Sequence, residues 1–340
     1  MHRDALDVIS LLEHSISSAA SVRNPPVTPR SASRHLVVAA ASTALVCLLG
    51  ACDSASDTAD AKTPASLKIA GVTVKKSAEL HAALPDAIKK SGTVRVATDV
   101  PYAPFEMFVK EGESELTGLD YDLGQALGAR LGVKFAFTPQ KFDGIVPAIQ
   151  AGKFDAAMSA ITDNKERQQV VDFVDYSQSG SGILVAKGNP KKITNLDGLC
   201  GRKVAVQAAT NQLKLLKAHQ KECGGKNIDI QTFPKDSDAQ LALRSGKVDA
   251  EVLTKPAAGW TAKTADAGKT FDLVEDAQAP GGYNASPNGI AISKKLPQLT
   301  DAVQKALQSL IDDGTVKKIF AKYGVASIAV ESATKNAAVD

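Results

Sequence analysis

The four cysteines could form disulfides, bind a metal or carry a lipid, and they fall into two groups. Cys47 and Cys52 lie near the N-terminus, whereas Cys200 and Cys223 stand 23 positions apart in the second half. Two cysteines without clustered histidines fall short of the usual four ligands of a structural zinc site, so we expect no metal. Outside the cytoplasm Cys200 and Cys223 are expected to form one disulfide; two unrelated buried thiols are the alternative.

Cys52 ends a pattern typical of exported proteins. A basic segment precedes an apolar run from Leu36 to Leu49, which suits the core of a signal peptide and is too short to cross a bilayer of ~30 Å. The ending Leu-Gly-Ala-Cys52 resembles a bacterial lipobox, which implies cleavage before Cys52 and acylation of its sulfur; secretion with a free thiol is the alternative. We therefore predict a leader in residues 1–51 and a lipidated cysteine with a flexible tether in residues 52–76.

Composition favours a binding protein for a small molecule. The 340 residues are 44% hydrophobic, which suffices for a buried core, and about 150 residues per domain suggests two units. A net charge of +3 excludes the electrostatic footprint of nucleic-acid binding. Aromatic residues make up 5% of the chain, with Trp260 as its one tryptophan, so no stacking surface for bases or glycans is indicated. No cofactor is expected.

Strand and helix patterns alternate after the tether, which predicts an α/β fold with parallel sheets flanked by helices. Leucines at 123, 127 and 131 mark one helix, and apolar positions from Leu299 to Ile311 mark another. The motif Ala-Gly-Lys-Phe-Asp-Ala156 returns as Ser-Gly-Lys-Val-Asp-Ala250, which indicates one helix-to-strand unit in each of two lobes. The predicted boundaries are 77–186 and 288–325 for lobe 1, 187–287 for lobe 2, and 326–340 for a mobile tail.

Short motifs follow one another over about residues 91 to 325. They are Val94–Glu106, Gly118–Leu123, Phe142–Ala148, Phe154–Ala156, Glu166-Arg167, Val171–Phe173, Lys203–Gln207 and Asn288–Ala291. The ordered set resembles the amino-acid-type solute-binding proteins of ABC importers, family 3. This resemblance implies the two-lobed type II periplasmic binding protein fold, each lobe a mainly parallel sheet flanked by helices, with the ligand held between the lobes.

The resemblance implies ligand-binding roles for residues of the first lobe. Arg167 matches the arginine that clamps the ligand carboxylate, a role suited to its planar fork of N–H groups. Ser159 and Thr162 match small polar positions that hydrogen-bond the ligand, although either could cap the helix near Asn164. Tyr102 and Phe142 match aromatic walls of the cleft.

Asp99 matches a carboxylate near the pocket floor that meets the distal amine or amide of a ligand; its alternative role is to cap a turn. Across the cleft, Gln207, Thr210 and Asn211 match a strand-to-helix turn whose amides can face a carboxylate, while Thr210 could simply be an N-cap.

Position 254 departs from the family pattern. Thr254 stands where the family usually has the carboxylate that pairs with a ligand ammonium. The ammonium could instead meet Asp99 or Glu251, or it could be substituted or absent, as in an opine, a betaine or a cyclic imino acid. A third reading is that the protein has changed from transport to sensing.

We predict a monomeric, extracytoplasmic binding protein, not an enzyme, anchored to the cell membrane through Cys52. Lobe closure would capture a small amino-acid-like carboxylate and present it to a membrane permease with a separate ATPase subunit. Nucleic acid is not an expected partner. The alternatives are a sensing lipoprotein without transport and a dehydratase of cyclic acids in which Glu251 or Asp99 acts as general acid.

Overall fold

Residues 66–110 and 112–338 are described by the computed structural model, so the predicted leader and Cys52 lie outside the described residues. The strands are β1 Ser66–Ile69, β2 Val72–Lys75, β3 Thr93–Thr98, β4 Met107–Phe108, β5 Leu116–Thr117, β6 Lys134–Pro139, β7 Ala156–Ala157, β8 Val171–Ala186, β9 Lys203–Gln207, β10 Asp229–Phe233, β11 Ala250–Thr254, β12 Phe271–Leu273, β13 Tyr283–Ser293 and β14 Ala329–Lys335. The helices are α1 Ala78–Ala82, α2 Asp86–Ser91, α3 Leu119–Leu131, α4 Ile145–Gln150, α5 Lys165–Gln168, α6 Asn211–His219, α7 Asp236–Arg244, α8 Lys255–Thr264, α9 Pro297–Asp312 and α10 Thr315–Lys322.

Helix α3 forms as its leucine spacing predicts. Leu123, Leu127 and Leu131 are fully buried along one face, because residues four apart lie on the same side of a helix. The helix ends at Gly132, which adopts a left-handed conformation that glycine reaches without steric cost. Helix α9 packs beside α3, and its predicted apolar positions from Leu299 to Leu310 are buried.

Ten strands form one sheet in the order β10-β9-β11-β8-β13-β7-β3-β6, with β12 and β14 also paired to β8. Strand β3 is parallel to β6 and β7 in one lobe, and β9 is parallel to β10 and β11 in the other. Helices follow these parallel strands, as the alternating pattern predicts. The α/β architecture expected from the sequence is therefore present, with antiparallel strands β8 and β13 joining the two parallel groups.

The two lobes are joined by the long strands β8 and β13. Strand β8 pairs with β14 in lobe 1 through Ser177 and with β11 in lobe 2 from Ser181 onward, so it crosses between the lobes at residues 178–180. The predicted boundary between residues 186 and 187 is wrong, because β8 continues in the lobe 2 sheet to Ala186. On β13, Ser286 and Pro287 lie opposite Ser179 and Gln178 of this crossing.

The repeated Gly-Lys-x-Asp-Ala motif has the same structural role in both lobes. In lobe 1 the Asp155 carboxylate accepts the Arg95 backbone N–H at 2.8 Å, and in lobe 2 the Asp249 carboxylate accepts the Lys203 backbone N–H at 3.0 Å. Each aspartate thereby fixes the start of the parallel strand that leads to the cleft, β3 or β9. The predicted helix-to-strand unit is confirmed, since α4 precedes β7 and α7 precedes β11.

The predicted flexible tether, residues 52–76, includes residues that belong to the folded protein. Residues 66–75 form the antiparallel hairpin β1–β2, and Ile69 and Val74 are buried against lobe 1 near α3. The segment alternates apolar and polar residues over only four positions per strand, which is too short to stand out from a polar linker by sequence pattern.

The prediction of a mobile tail over residues 326–340 is also wrong for the described part of that segment. Strand β14 pairs with β8, and Ala333 and Ala338 are buried. The Asn336 carboxamide oxygen accepts the Phe173 backbone N–H at 2.8 Å. Backbone pairing and small side chains hold this strand in place. Its sequence therefore lacks the run of large apolar residues from which a buried strand can be predicted.

The predicted disulfide between Cys200 and Cys223 is present, with Cα atoms 5.3 Å apart. It spans from the residues before β9 to the end of α6 and packs in the lobe 2 core. His219 lies within 4.8 Å of both sulfurs, but sulfurs bonded to each other are not the thiolates that bind metals. Among the described residues, no helix combines the length and the hydropathy needed to cross a membrane.

Replacing both Cys200 and Cys223 by serine should lower the free energy of unfolding by about 3 kcal/mol, because the unfolded chain regains the entropy of a loop of this size. Urea unfolding of the variant and the oxidised wild type measures the difference. Dithiothreitol should destabilise the wild type to the same extent and leave the double variant unchanged. Equal stability of all three samples would contradict the expectation.

Candidate functional site

The candidate site lies between the lobes, at the carboxyl ends of the parallel strands, where open α/β sheets bind ligands. All ten predicted site residues line one cavity. Glu106, Ala160 and Gln212, which were not predicted, line it as well. The ten predicted residues are Asp99, Tyr102, Phe142, Ser159, Thr162, Arg167, Gln207, Thr210, Asn211 and Thr254. The enclosed space is only about 20 Å³, little more than one water-sized sphere requires. The lobes are therefore closed against each other.

Direct polar contacts across the cleft explain this small volume. The Tyr102 hydroxyl of lobe 1 is 2.9 Å from both the backbone nitrogen and Oγ1 of Thr254 in lobe 2. The Gln207 amide donates to the Asp99 carboxylate at 2.6 Å. Each of these groups also lines the cavity, so the contacts that close the lobes are made by the same side chains that would contact a ligand.

Arg167 is positioned by a short helix with a polar cap. The Asn164 side chain accepts the Arg167 backbone N–H at 2.8 Å, which caps α5 and fixes its first turn. Asn164 itself, rather than Ser159 or Thr162, is thus the cap at this helix. The guanidinium donates to the Thr162 carbonyl at 2.7 Å and lies 5.5 Å from the centre of the Phe142 ring, which is a cation–π distance.

The second lobe reaches Arg167 through a strained turn. Ala209, between β9 and α6, has a φ of 60°, a left-handed conformation that costs a residue with a Cβ roughly 1–2 kcal/mol. Its carbonyl accepts the Arg167 guanidinium at 3.0 Å. Burial of this guanidinium between the lobes lowers the pKa of Arg167 to about 10, against the opposing effect of nearby Glu166 and Asp163.

Thr210 begins helix α6, as its alternative role as an N-cap predicts. Its hydroxyl accepts the Leu213 backbone N–H at 3.2 Å and donates to the Gln207 carbonyl at 2.8 Å. Thr210, Asn211 and Gln212 all line the cavity, so the N-terminus of α6 faces it. This end of a helix carries a partial positive charge and favours a bound anion such as a carboxylate.

The two acidic residues expected to compensate for Thr254 differ in position. Asp99 lines the cavity, and burial raises the pKa of Asp99 while its bond from Gln207 opposes the increase. Glu251 is fully buried on β11 and is not among the residues that line the cavity. Of the two, Asp99 is therefore the one whose side chain is accessible from the cavity.

Glu251 and Asp236 form an acidic pair behind the lobe 2 wall. Neither Glu251 carboxyl oxygen has a hydrogen-bond donor among the described residues. Burial, reinforced by the neighbouring Asp236, raises the pKa of Glu251 well above its ordinary range. Burial also raises the pKa of Asp236 to about 6. Because Glu251 does not line the cavity, it lacks the contact that a general acid needs with its substrate.

Glu106 is the acidic cavity residue that sequence reasoning missed. It is 2% exposed, and its Oε1 accepts the Ser159 hydroxyl at 2.7 Å. Ser159 in turn accepts the Asp99 backbone N–H at 2.9 Å, which links Glu106 to the loop after β3. The residue lies at the end of the Val94–Glu106 motif, so the signal was present, but nothing local in the sequence shows that this side chain is buried.

The cavity thus combines an anion-binding side with acidic groups. Arg167 and the start of α6 can bind a carboxylate, whereas Asp99 and Glu106 can attract a cation. No Ser-His-Asp group lines the cavity, and Arg167 is the one basic side chain among its lining residues. This arrangement suits reversible binding of a small molecule that carries both charges.

The buried carboxyls make the stability of the protein depend on pH. Burial raises the pKa of Asp175 to about 7 and the pKa values of Asp120 and Asp236 to about 6. Because these groups bind protons more tightly in the folded than in the unfolded chain, stability increases as pH falls through the folded pKa values toward the unfolded ones near 4.

We therefore expect the free energy of unfolding to be roughly 5 kcal/mol larger at pH 5 than at pH 8, with about half of this difference due to Asp175. Urea unfolding at intervals of half a pH unit measures this difference. Asp175→Asn should reduce the pH dependence because it removes one of the titrating groups. A stability that is constant or increases from pH 5 to pH 8 would contradict the assigned direction.

Comparisons with known proteins agree with a binding site. An ancestral amino acid-binding protein, AncCDT-1, described as a precursor of cyclohexadienyl dehydratase, is 39% identical with a TM-score of 0.61, over 70% of this chain and 98% of its own. An ancestral arginine-binding protein bound to arginine is 35% identical with a TM-score of 0.61, over 68% and 98%.

Natural relatives give the same result. The lysine/arginine/ornithine-binding periplasmic protein of Escherichia coli is 32% identical over 74% of this chain and 93% of its own, and the arginine-binding protein ArgT of Corynebacterium glutamicum is 30% identical over 73% and 79%. These relatives are binding proteins, which confirms the prediction that the chain is not an enzyme. The family model for bacterial extracellular solute-binding proteins, family 3, matches residues 94–326, and the chain belongs to that family.

Proposed function

We propose that this protein captures a basic amino acid outside the cytoplasm and delivers it to an ABC importer. The supporting observation is the set of charges on the cavity: Arg167 faces it together with two acidic side chains, Asp99 and Glu106. An amino acid with a cationic side chain carries one carboxylate and two cationic groups, so it matches this set. Relatives named for arginine, lysine and ornithine binding support the same class.

Arg167 and the N-terminus of α6 would bind the ligand carboxylate from opposite lobes. Two parallel N–H groups of the guanidinium fit two carboxylate oxygens, and the α6 amides add donors from lobe 2. Asp99 would receive a cationic group of the ligand. With Thr254 in place of the usual carboxylate, Asp99 and Glu106 are the acidic groups that line the cavity.

Ligand binding would replace the contacts that now join the lobes directly. Tyr102 bonds Thr254, and Gln207 bonds Asp99; a ligand with its own donors and acceptors can take over these partners when the lobes open and close again. Contacts to both lobes favour the closed form, and a permease would recognise that form. Cys52, outside the described residues, would hold the protein at the membrane by its lipid.

A calorimetric screen of the purified protein tests the ligand class. L-arginine, L-lysine and L-ornithine should bind with micromolar or tighter affinity, about −8 kcal/mol or better. L-glutamate should not bind measurably, because its second carboxylate would face Asp99 and Glu106. L-glutamine, a neutral amino acid of similar size, is the comparison for the side-chain charge. Preferential binding of L-glutamate or of betaines would overturn the proposal.

Replacing Arg167 by alanine should weaken the binding of L-arginine by roughly 30-fold to several-thousandfold, equivalent to about 2–5 kcal/mol, because the ligand carboxylate loses a buried charge-assisted partner. Isothermal titration calorimetry measures the change. Arg95→Ala is the matched control, since Arg95 also bonds a carboxylate, Asp155, but its side chain is 52% exposed and does not line the cavity. Unchanged affinity in Arg167→Ala would remove the carboxylate-binding role.

A further inference from the structure

Two buried carboxyl groups are neighbours at the lobe 1 side of the cavity, since the Asp120 backbone N–H donates at 2.8 Å to the carbonyl of Phe105, the residue before Glu106. Glu106 and Asp120 are 2% and 0% exposed. One oxygen of each has a donor: Glu106 Oε1 accepts the Ser159 hydroxyl at 2.7 Å, and Asp120 Oδ2 accepts the Ala160 backbone N–H at 2.7 Å. The other oxygens, Glu106 Oε2 and Asp120 Oδ1, have no partner at hydrogen-bond geometry among the described residues, and the same holds for the hydroxyl of Tyr176, which lies beside Asp120.

A single proton between the two carboxyls would satisfy both remaining oxygens. Two buried carboxylates in contact cannot both be ionised without a large cost, and one shared proton turns repulsion into a hydrogen bond. Burial, followed by the charge of Asp120, raises the pKa of Glu106 well above its ordinary range. Burial raises the pKa of Asp120 to about 6, and the Ala160 backbone, Tyr176 and Glu106 oppose this increase. The backbone N–H of Ala160 stabilises the ionised form of Asp120, so Glu106 is the donor and Asp120 the acceptor.

The groups around the pair offer no permanent positive charge in direct contact with it. Tyr176 of β8 lies beside Asp120. The charge of Asp99 raises the pKa of Glu106, and the charge of Glu106 raises the pKa of Tyr102. Arg167 shares the cavity, but its guanidinium donates to the Thr162 and Ala209 carbonyls. The titratable and charged groups that face the pair are accordingly Asp99, Tyr102, Tyr176 and, across the cavity, Arg167.

We propose that Glu106 and Asp120 share one proton in the unliganded protein, and that a cationic group of the bound amino acid displaces this proton to solution. The inference rests on the proposed function, since it requires a cationic ligand in the cavity. Glu106 is the member of the pair that lines the cavity, so the charge of the ligand acts on the side chain that holds the proton. The pair then serves as a specificity element for cations.

The sign of the coupling follows from linkage. A positive charge within ~4–6 Å of a carboxyl lowers its pKa by about 1–3. The pair consequently loses its proton on binding whenever the pH lies between the pKa values of the liganded and unliganded forms. Affinity for a cationic ligand should increase with pH across this window, by at most about tenfold per pH unit for one proton, and become constant above it.

The second buried acidic pair, Asp236 and Glu251, is not proposed to release a proton on ligand binding. Asp236 and Glu251 lie behind the wall of lobe 2, and neither lines the cavity. Glu106, in contrast, is joined through Ser159 to the Asp99 backbone, so it is directly connected to the residue placed to meet the cation.

The test is calorimetric titration of L-arginine into the purified protein at pH 7 in buffers of different ionisation enthalpy. The dependence of the observed heat on the buffer gives the number of protons released. We expect release of roughly half to one proton per arginine bound, together with weaker binding at pH 5 than at pH 8. Infrared difference spectra should show the loss of a protonated-carboxyl band when arginine binds.

Two isosteric variants identify the source of the proton. Glu106→Gln keeps an acceptor for Ser159 and supplies a permanent N–H donor toward Asp120, so proton release should disappear. Asp120→Asn keeps an acceptor for Ala160 and supplies a donor toward Glu106, with the same expected result, and it remains informative if the first variant does not fold. Asp175→Asn is the matched control, because this buried carboxyl bonds Thr334 and Ala337 of the C-terminal segment; it should leave proton release unchanged.

The outcomes separate the inference from the proposed function. Absence of arginine binding in the wild type at every pH would contradict the proposed function. Arginine binding without proton release, or release that persists in both Glu106→Gln and Asp120→Asn, would overturn the inference while the proposed function stands.

Discussion

The antiparallel pairing of β8 with β13 is the interaction on which the rest of the structure depends. These strands hold both parallel strand groups in one sheet, so the position of the lobe 2 wall relative to Arg167 is set by their register. At the crossing the backbones come so close that a Cβ on Gly180 would lie 2.3 Å from the Gly282 carbonyl carbon. The Gly180 backbone N–H donates to the Gly281 carbonyl at 2.9 Å, which ties the two strands at this point.

Buried acidic groups surround the cavity on both lobes, where water cannot stabilise their charges. Glu106, Asp120, Asp236 and Glu251 are each at most 4% exposed. Such groups are tolerated either by proton uptake or by hydrogen bonds from neutral donors. Ser159 and the Ala160 backbone donate to the lobe 1 pair, whereas burial raises the pKa of Glu251, which favours proton uptake there. The same arrangement favours a cation over an anion without a full negative charge on every carboxyl.

The sequence could supply the architecture and most of the cavity, because the relevant signals are local. Alternating elements gave the parallel groups, and the motifs containing Arg167, Gln207 and Thr210 contain enough neighbouring residues to be recognised. The features that were not predicted depend on contacts between residues far apart in the sequence. Glu106 becomes significant only beside Asp120, and β14 is held by β8, more than a hundred positions earlier in the chain. The crossing point on β8 was misplaced for the same reason, since which neighbour a strand pairs with cannot be read from the strand itself.

The disulfide has a consequence for the shape of the cleft as well as for stability. Cys200 precedes β9 and Cys223 follows α6, so the closed covalent loop contains Gln207, Ala209, Thr210 and Asn211. The disulfide fixes the ends of this segment 5.3 Å apart at Cα, so this part of the lobe 2 wall can change shape only within a closed loop. In lobe 1, Arg167 is held by the Asn164 cap and Asp99 by the Ser159 hydroxyl, both without a covalent link. The redox state of the surroundings therefore acts on the part of the cleft between β9 and α6 and leaves Thr254 and the lobe 1 side to non-covalent forces.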